Sequence, residues 1–292
     1  MSNSKARHYG HILLFLGIPL IPLIVFWFLP MLLSLFISFT DWDYISTDFN
    51  FVGSENYADV LTSRDFYQAL INTVQFSFFT VVPTLVLGFV MALLLNRKIR
   101  GQAMFKSMLF TPWVTPMVAV SIVWSWIFEP TNGIVNQLLG FMNIEGPRWL
   151  TDSDTAMWVI IIVTVWKQAG WAMLFYSDAL SAISKSLFEV ADISGASFWQ
   201  KLKTIYIPLV SPTTLYLFII SLIDAIQAYD QIDVMTQGGP AGGTRTLLYY
   251  YYQMAFERFD MGPATAIAML ILLICGVLSI LSMWLSKRYV HY

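Results

Sequence analysis

Six long apolar stretches, each enough to cross a lipid bilayer as a helix, restrict what this chain can fold into. They run approximately from Ile12 to Thr40, Ala69 to Leu95, Ser107 to Phe128, Ala156 to Tyr176, Leu209 to Tyr229 and Gly262 to Leu285. A hydrocarbon core of about 30 Å takes roughly 20 helical residues. Unsatisfied backbone groups in lipid are costly, and barrel strands would be shorter and alternating, so the expected fold class is all-α, with six membrane-spanning helices. Composition agrees: 57% of the 292 residues are hydrophobic and only 12% charged, against about a quarter charged in a soluble domain.

The first stretch follows Lys5 and Arg7, yet it exceeds the apolar core of a secretory signal and has no small-residue cleavage site. It is expected to be a retained helix that Pro19, Pro22 and Pro30 kink or break. The single cysteine, Cys275, excludes an intrachain disulfide. His8, His11 and His291 lack metal-ligand spacing, so no metal site is expected. A net charge of −2 gives no reason to expect nucleic-acid binding. No nucleophile and base pair on the helices, so no catalytic residue is expected.

Basic residues sort by loop, and short-loop Lys/Arg bias sets orientation. Lys5 and Arg7, then Arg97, Lys98, Arg100 and Lys106, then Lys185, Lys201 and Lys203, and finally Lys287 and Arg288 fall on one side. The opposite loops hold only Arg64, Arg148, Arg245 and Arg258 among many acids, including Asp41, Asp43, Asp48, Glu55, Asp59 and Asp65. Both termini are therefore expected in the cytoplasm. The expected organisation is a cytoplasmic segment 1–11, one membrane domain 12–286 and a cytoplasmic tail 287–292. Trp42, Tyr44, Trp149 and Trp284 fall near expected helix ends, where amphipathic rings prefer the headgroup level.

One cytoplasmic connection, Glu189 to Pro212, reads as a short amphipathic helix opening at Glu189, a break at Gly195 and a basic helix ending at Pro208. Ser184 or Ser186 offers an N-cap. Leu187, Val190, Ala191 and Ser194 share a face at helical spacing. Small residues at Ala191, Ser194, Gly195 and Ala196 permit close approach of another backbone. By composition the segment is either a docking surface or an amphipathic helix lying on the membrane.

The pattern Glu189, Ala191, Gly195, Ala196, Ile205, Pro208 and Pro212 resembles the cytoplasmic EAA loop of bacterial ABC importer permeases, here spanning about 184–208. Val190, Ser194 and Ser184 depart from its usual residues. The resemblance implies that Glu189, Ala191, Ser194, Gly195, Ala196 and Pro208 couple the chain to a cytoplasmic ATPase dimer. ATP and Mg would be used there, with no cofactor in this chain. It also implies the type I importer fold and a multi-pass place in the bacterial cytoplasmic membrane.

Gly238, Gly239 and Pro240, followed by Thr246-Leu247, a tyrosine run and Ala255-Phe256, read alone as a flexible external turn. In this order they resemble the external loop of maltose-type sugar permeases. That likeness implies contact with an extracytoplasmic solute-binding protein and a second, homologous permease subunit.

Polar side chains inside the apolar runs mark the interior. Thr164, Lys167, Gln168 and Trp171 share one helix face, and Ser221 and Asp224 another. A charge at mid-membrane costs on the order of 2.5 to 3.5 kcal/mol on insertion scales, so Lys167 should face protein or water. Either Lys167 pairs with Asp224 or snorkels to the outer interface, or the six residues line a cavity for a carbohydrate-like solute, with Trp171 as a stacking ring. An ion-coupled carrier using Lys167 and Asp224 is the alternative; such carriers usually show repeated halves, which this chain lacks. Trp113, Trp124, Trp126 and Trp166 are read as packing, and Pro112 and Pro116 as a kink in the third span.

Overall fold

The computed structural model describes Phe15, residues 17–96 and residues 100–289. The expected segment 1–11, with Lys5, Arg7, His8 and His11, lies outside the described residues, as do Arg97, Lys98 and His291. Twelve helices matter here. They are α1 (Gly17–Ile37), α2 (Glu55–Thr62), α3 (Arg64–Leu95), α4 (Gln102–Val114), α5 (Met117–Ile127) and α6 (Ile134–Phe141). They continue as α7 (Ala156–Ser181), α8 (Lys185–Ile193), α9 (Phe198–Ile226), α10 (Asp230–Thr236), α11 (Leu247–Tyr252) and α12 (Met261–Tyr289). Among the described residues the only β pairing is the isolated bridge between Thr40 and Phe51.

Among the described residues five helices, α1, α3, α7, α9 and α12, are long and apolar enough to cross a membrane. The sixth expected span is broken: α4 and α5 meet at 96°. Thr115 and Pro116 between them are extended, with ψ of 134° and 137°. Pro116 has no N–H to continue the ladder and disfavours helical backbone at Thr115 before it. The kink expected in one helix is therefore a right-angled elbow between two.

Proline has the opposite outcome in α1 and α9. Within α1, residues Ile24–Phe28 form a π-turn in which the Leu29 N–H reaches the Ile24 carbonyl. In α9, Leu202–Tyr206 do the same, with the Ile207 N–H on the Leu202 carbonyl. Each π-turn stands just before a proline, Pro30 or Pro208, at the start of the next α-helical stretch, where the missing N–H costs least. Helix α1 is not broken, and the basic helix of the 184–208 connection does not end at Pro208. It runs on as α9 for 29 residues from Phe198 to Ile226.

The chain divides into two compact units: the described residues up to Ser63 with Tyr251–Leu272, and Arg64–Tyr250 with the remainder of α12. In the first, Asn56 Nδ2 donates to the Ser38 and Thr40 carbonyls at 2.9 and 2.8 Å, and the Met261 and Gly262 amides donate to the Trp42 carbonyl. A Cβ at Gly262 would run into the Thr40 carbonyl, so the start of α12 fits there only as glycine. None of the apolar window of α1 is buried among the described residues.

In the second unit α7 is central, with 61% of its apolar window buried. Small residues bring its neighbours close, the usual device for helices that cannot rely on water to drive them together. Gly88 of α3 faces Ala172, where a Cβ would lie 2.6 Å from that side chain, and Gly170 receives the backbone of α4 at Leu109. The Tyr176 hydroxyl donates to Thr214 Oγ1 of α9 at 3.1 Å. Phe76, Ile160, Met173 and Leu217 fill the core between these helices.

Candidate functional site

The 184–208 connection forms a two-helix hook. Helix α8 starts at Lys185 rather than Glu189, with Ser184 in extended N-cap geometry. Its hydroxyl meets Ser186 Oγ at 2.7 Å instead of capping the helix. The helix stops at Gly195, whose φ of +70° only glycine adopts without strain. The Gly195 amide donates to the Asp192 carbonyl at 3.0 Å and the Ala196 amide to Ala191 at 2.9 Å, the paired bonds of a Schellman C-cap. Apart from its chain neighbours, no described residue comes within 4 Å of where a Gly195 Cβ would be, so conformation, not close approach within the chain, demands glycine here.

After the turn Ser197 and Gln200 form a capping box that opens α9. Lys201 bridges back to Asp192, and Phe188 packs on Tyr206 with centroids 5.1 Å apart. The hook thus holds its own shape. Its outer face presents Leu187, Val190 and Ile193, the last 88% exposed, beside exposed Glu189 and Ser194 and half-buried Ala191 and Ala196. Pro208 lies beyond the π-turn, in the stem of α9.

A polar cavity of about 300 Å³ forms between α4, α5, α7 and the junction of α9 with α10. Thr164, Lys167, Gln168 and Asp224 line it together. Trp171 does not: it stacks on Trp113 at 5.2 Å and touches Phe175 at 5.0 Å. Ser221 is also off the cavity, buried with no hydrogen-bond partner for its hydroxyl among the described residues. Lys167 and Asp224 share the wall but form no ion pair. Lys167 Nζ donates instead to the Trp113 carbonyl at 2.8 Å and lies 5.3 Å from the centre of the Trp113 ring. Asp224 makes no hydrogen bond or ion pair among the described residues.

Four polar positions join the wall that the sequence reading passed over: Gln227, Tyr229, Asp230 and Gln231. Helix α9 ends at Ile226, three residues before the expected end of the fifth stretch, so these residues turn into the cavity rather than continue a span. The signal was present in the run of amides and acids just after Asp224. Trp113 and Met117 complete the wall at the elbow, where Trp113 was read as packing. A larger cavity of about 650 Å³ lies between Phe79, Pro83, Leu87 and Val165. Its lining is almost wholly apolar and offers little to orient a hydroxyl-rich solute.

The segment 236–250 is built firmly rather than as a flexible turn. Gly238 is buried at φ +74°, and a Cβ there would strike the Tyr249 ring at 2.6 Å. Thr244 Oγ1 donates to the Gly239 carbonyl at 2.7 Å, and Asn72 Nδ2 donates to the Gly242 and Arg245 carbonyls at 2.8 and 3.0 Å. Arg245 pairs with Asp65 at 3.2 Å and lies over Tyr250. Pro240 follows Gly239 through a cis peptide bond and is partly exposed with it.

Known proteins resemble this chain in sequence and in fold. The family described as binding-protein-dependent transport system inner membrane component matches residues 84–291. The multiple sugar-binding transport system permease protein of Streptococcus mutans is 32% identical over 275 residues, covering 94% of each chain. The trehalose/maltose transport system permease protein of Thermococcus litoralis is 33% identical over 223 residues, 75% of this chain and 74% of that one. Among solved structures, a bacterial ABC transporter involved in import of the acidic polysaccharide alginate superposes with a TM-score of 0.85 at 20% identity, covering 99% of each chain.

Proposed function

The chain belongs to the family of binding-protein-dependent transport inner membrane components, and on that premise we propose that it carries a carbohydrate, or a related polyol or sugar phosphate, by alternating access. Its relatives' names, sugar and trehalose/maltose permeases, support that solute class. So does a cavity that combines amides, hydroxyls and carboxylates with aromatic rings at Trp113 and Tyr229. Hydroxyls need directional partners, and the C–H faces of a sugar stack on such rings.

The energy comes from a separate cytoplasmic ATPase dimer that uses ATP and Mg and grips the hook. One observation carries this reading: the exposed apolar face Leu187, Val190 and Ile193 stands on a helix whose partner in the hook, α9, continues without interruption to Ile226. Asp224 on that same helix reaches the cavity wall. A push on the hook is thereby delivered along a rigid rod to the solute site. Glu189, Ala191, Ser194, Gly195 and Ala196 form the gripped surface, and Pro208 marks where the rod enters the membrane.

The segment around Gly238, Gly239 and Pro240 meets an extracytoplasmic solute-binding protein. A second homologous permease completes the pore in a bacterial cytoplasmic membrane. Reconstitution of the four components in proteoliposomes tests the proposal: solute-loaded binding protein should stimulate ATP hydrolysis and uptake together. Uptake driven by a proton gradient without ATP would defeat it.

A further inference from the structure

The elbow between α4 and α5 leaves a particular debt of hydrogen bonds. In a continuous helix the Trp113 carbonyl would accept from the amide of residue 117, and the Pro112 carbonyl from residue 116. Met117 instead begins α5 at 96° to α4, and Pro116 has no amide proton. The end of α4 therefore carries orphan carbonyls and the negative end of a helix dipole. Thr115 Oγ1 reaches the Thr111 carbonyl at 3.3 Å. The Trp113 carbonyl is met by the Lys167 ammonium at 2.8 Å.

We propose that Lys167 is a positioning residue that pins the elbow by capping α4 at Trp113, and that it is not a ligand for the solute. Three features point the same way. Lys167 is only 9% exposed although it borders a cavity, so its ammonium is turned into the protein. The same charge lies over the Trp113 ring, which is itself stacked on Trp171 of α7, so ring and carbonyl of one residue hold the cation together. Three residues further along α7, Gly170 accepts the α4 backbone at Leu109. Leu109 and Trp113 are one turn apart on α4, as Gly170 and Lys167 are on α7, so two successive contacts fix the first arm of the elbow to α7. The second arm rests on α7 through Trp124 and Trp166, 5.3 Å apart edge to face.

The angle between the arms shapes the cavity wall at Trp113 and Met117. A charged cap is the stronger kind of hydrogen bond, and losing it in a protein interior destabilises the elbow by enough to shift a two-state equilibrium roughly tenfold or more. The proposal concerns the elbow alone and stands whichever solute the cavity receives.

Spin labels on the two arms test it in the full chain, purified with its partner subunits. On a Cys275→Ser background, Met104→Cys and Trp126→Cys place labels at exposed positions, one on each arm. The interspin distance distribution should be single and narrow with Lys167 present, broaden or split in Lys167→Met, and narrow again in Lys167→Arg, which restores a cationic donor. Should the methionine variant fail to insert, Lys167→Gln, uncharged and one bond short, should broaden the distribution likewise. An unchanged distribution in Lys167→Met or Lys167→Gln, or broadening in Lys167→Arg equal to that in Lys167→Met, overturns the pin. These readouts need no transport, so they fail or succeed independently of the import reading.

Discussion

Asp192 and Lys201 form an ion pair across the turn at Gly195, joining the helix that ends there to the one that enters the membrane. The turn between them depends on a left-handed residue at φ +70° with open space around it. Replacing Gly195 by valine forces a β-branched residue into that conformation, at a cost of about 1–2 kcal/mol or a rearranged hook. Asparagine, which tolerates the left-handed region, should be far milder. With the subunit inserted normally, Gly195→Val should hydrolyse ATP in the assembled importer without matching uptake, and Gly195→Asn should retain most coupling. Equal uptake per ATP in wild type and Gly195→Val would remove the hook from the mechanism.

The gripped face should fail separately from the hook's shape. Val190 is 63% exposed, so Val190→Asp leaves α8 folded while placing a charge where an apolar partner surface is proposed. Loss of a central apolar contact of this kind typically costs about 2 kcal/mol or more, roughly thirtyfold in affinity. Affinity purification of the tagged permease should recover much less ATPase from Val190→Asp. Undiminished recovery would show that the motor binds elsewhere.

The spans were legible because lipid imposes length and hydrophobicity on them, and polar residues inside them stood out for the same reason. Thr164, Lys167, Gln168 and Asp224 reach one cavity on that account. What stayed hidden depended on packing. Proline broke the backbone at Pro116 but not at Pro30 or Pro208, because a π-turn precedes each of the latter two and rearranges the hydrogen bonds. Composition does not announce a π-turn. Gln227, Tyr229, Asp230 and Gln231 were hidden because α9 stops at Ile226. Trp171 and Ser221 were on the expected helix faces, yet a stacked Trp113 and a buried seam hold them off the cavity.

Gly238 is a position where the 236–250 segment has little freedom. A methyl group there meets both the positive φ and the Tyr249 ring, whereas at Gly239 φ is ordinary and the nearest atom is the Thr236 carbonyl at 3.2 Å. Gly238→Ala should cost about 1–3 kcal/mol and lower the thermal midpoint of the purified subunit. Gly239→Ala should lower it less. Indistinguishable midpoints for the two variants would contradict the tight packing of this segment.

Two aspartates organise the loop after α1. Asp41 accepts the Asn50 amide at 2.6 Å, and Asp43 accepts the Ser46 amide at 2.7 Å and its hydroxyl at 2.9 Å. Backbone donors from Asn50 and Ser46 hold the two carboxyls below their ordinary value of 3.8. A lowered folded-state value means the stabilisation is fully present above that ordinary value and is lost as pH falls through the folded one. The difference in thermal midpoint between wild type and Asp43→Asn should therefore be constant at neutral pH and narrow progressively as pH falls below about 4. A gap that does not narrow at all on acidification would mean the carboxylate charge contributes nothing to the turn.

The cavity separates residues on one helix face that sequence spacing treats alike. Asp224 faces the cavity and makes no ion pair or hydrogen bond among the described residues, while Ser221, one turn earlier, is 2% exposed and off the wall. A hydroxyl-bearing solute would use Asp224 as an acceptor, and a hydrogen bond to a charged group contributes about 1.5–3 kcal/mol, or roughly ten- to a hundredfold in half-saturation. Asp224→Ala should raise the solute concentration needed for half-maximal uptake by that factor. Ser221→Ala, which removes an unpartnered hydroxyl, should leave it within about twofold. The reverse ranking of the two variants would move the solute to the other side of α9.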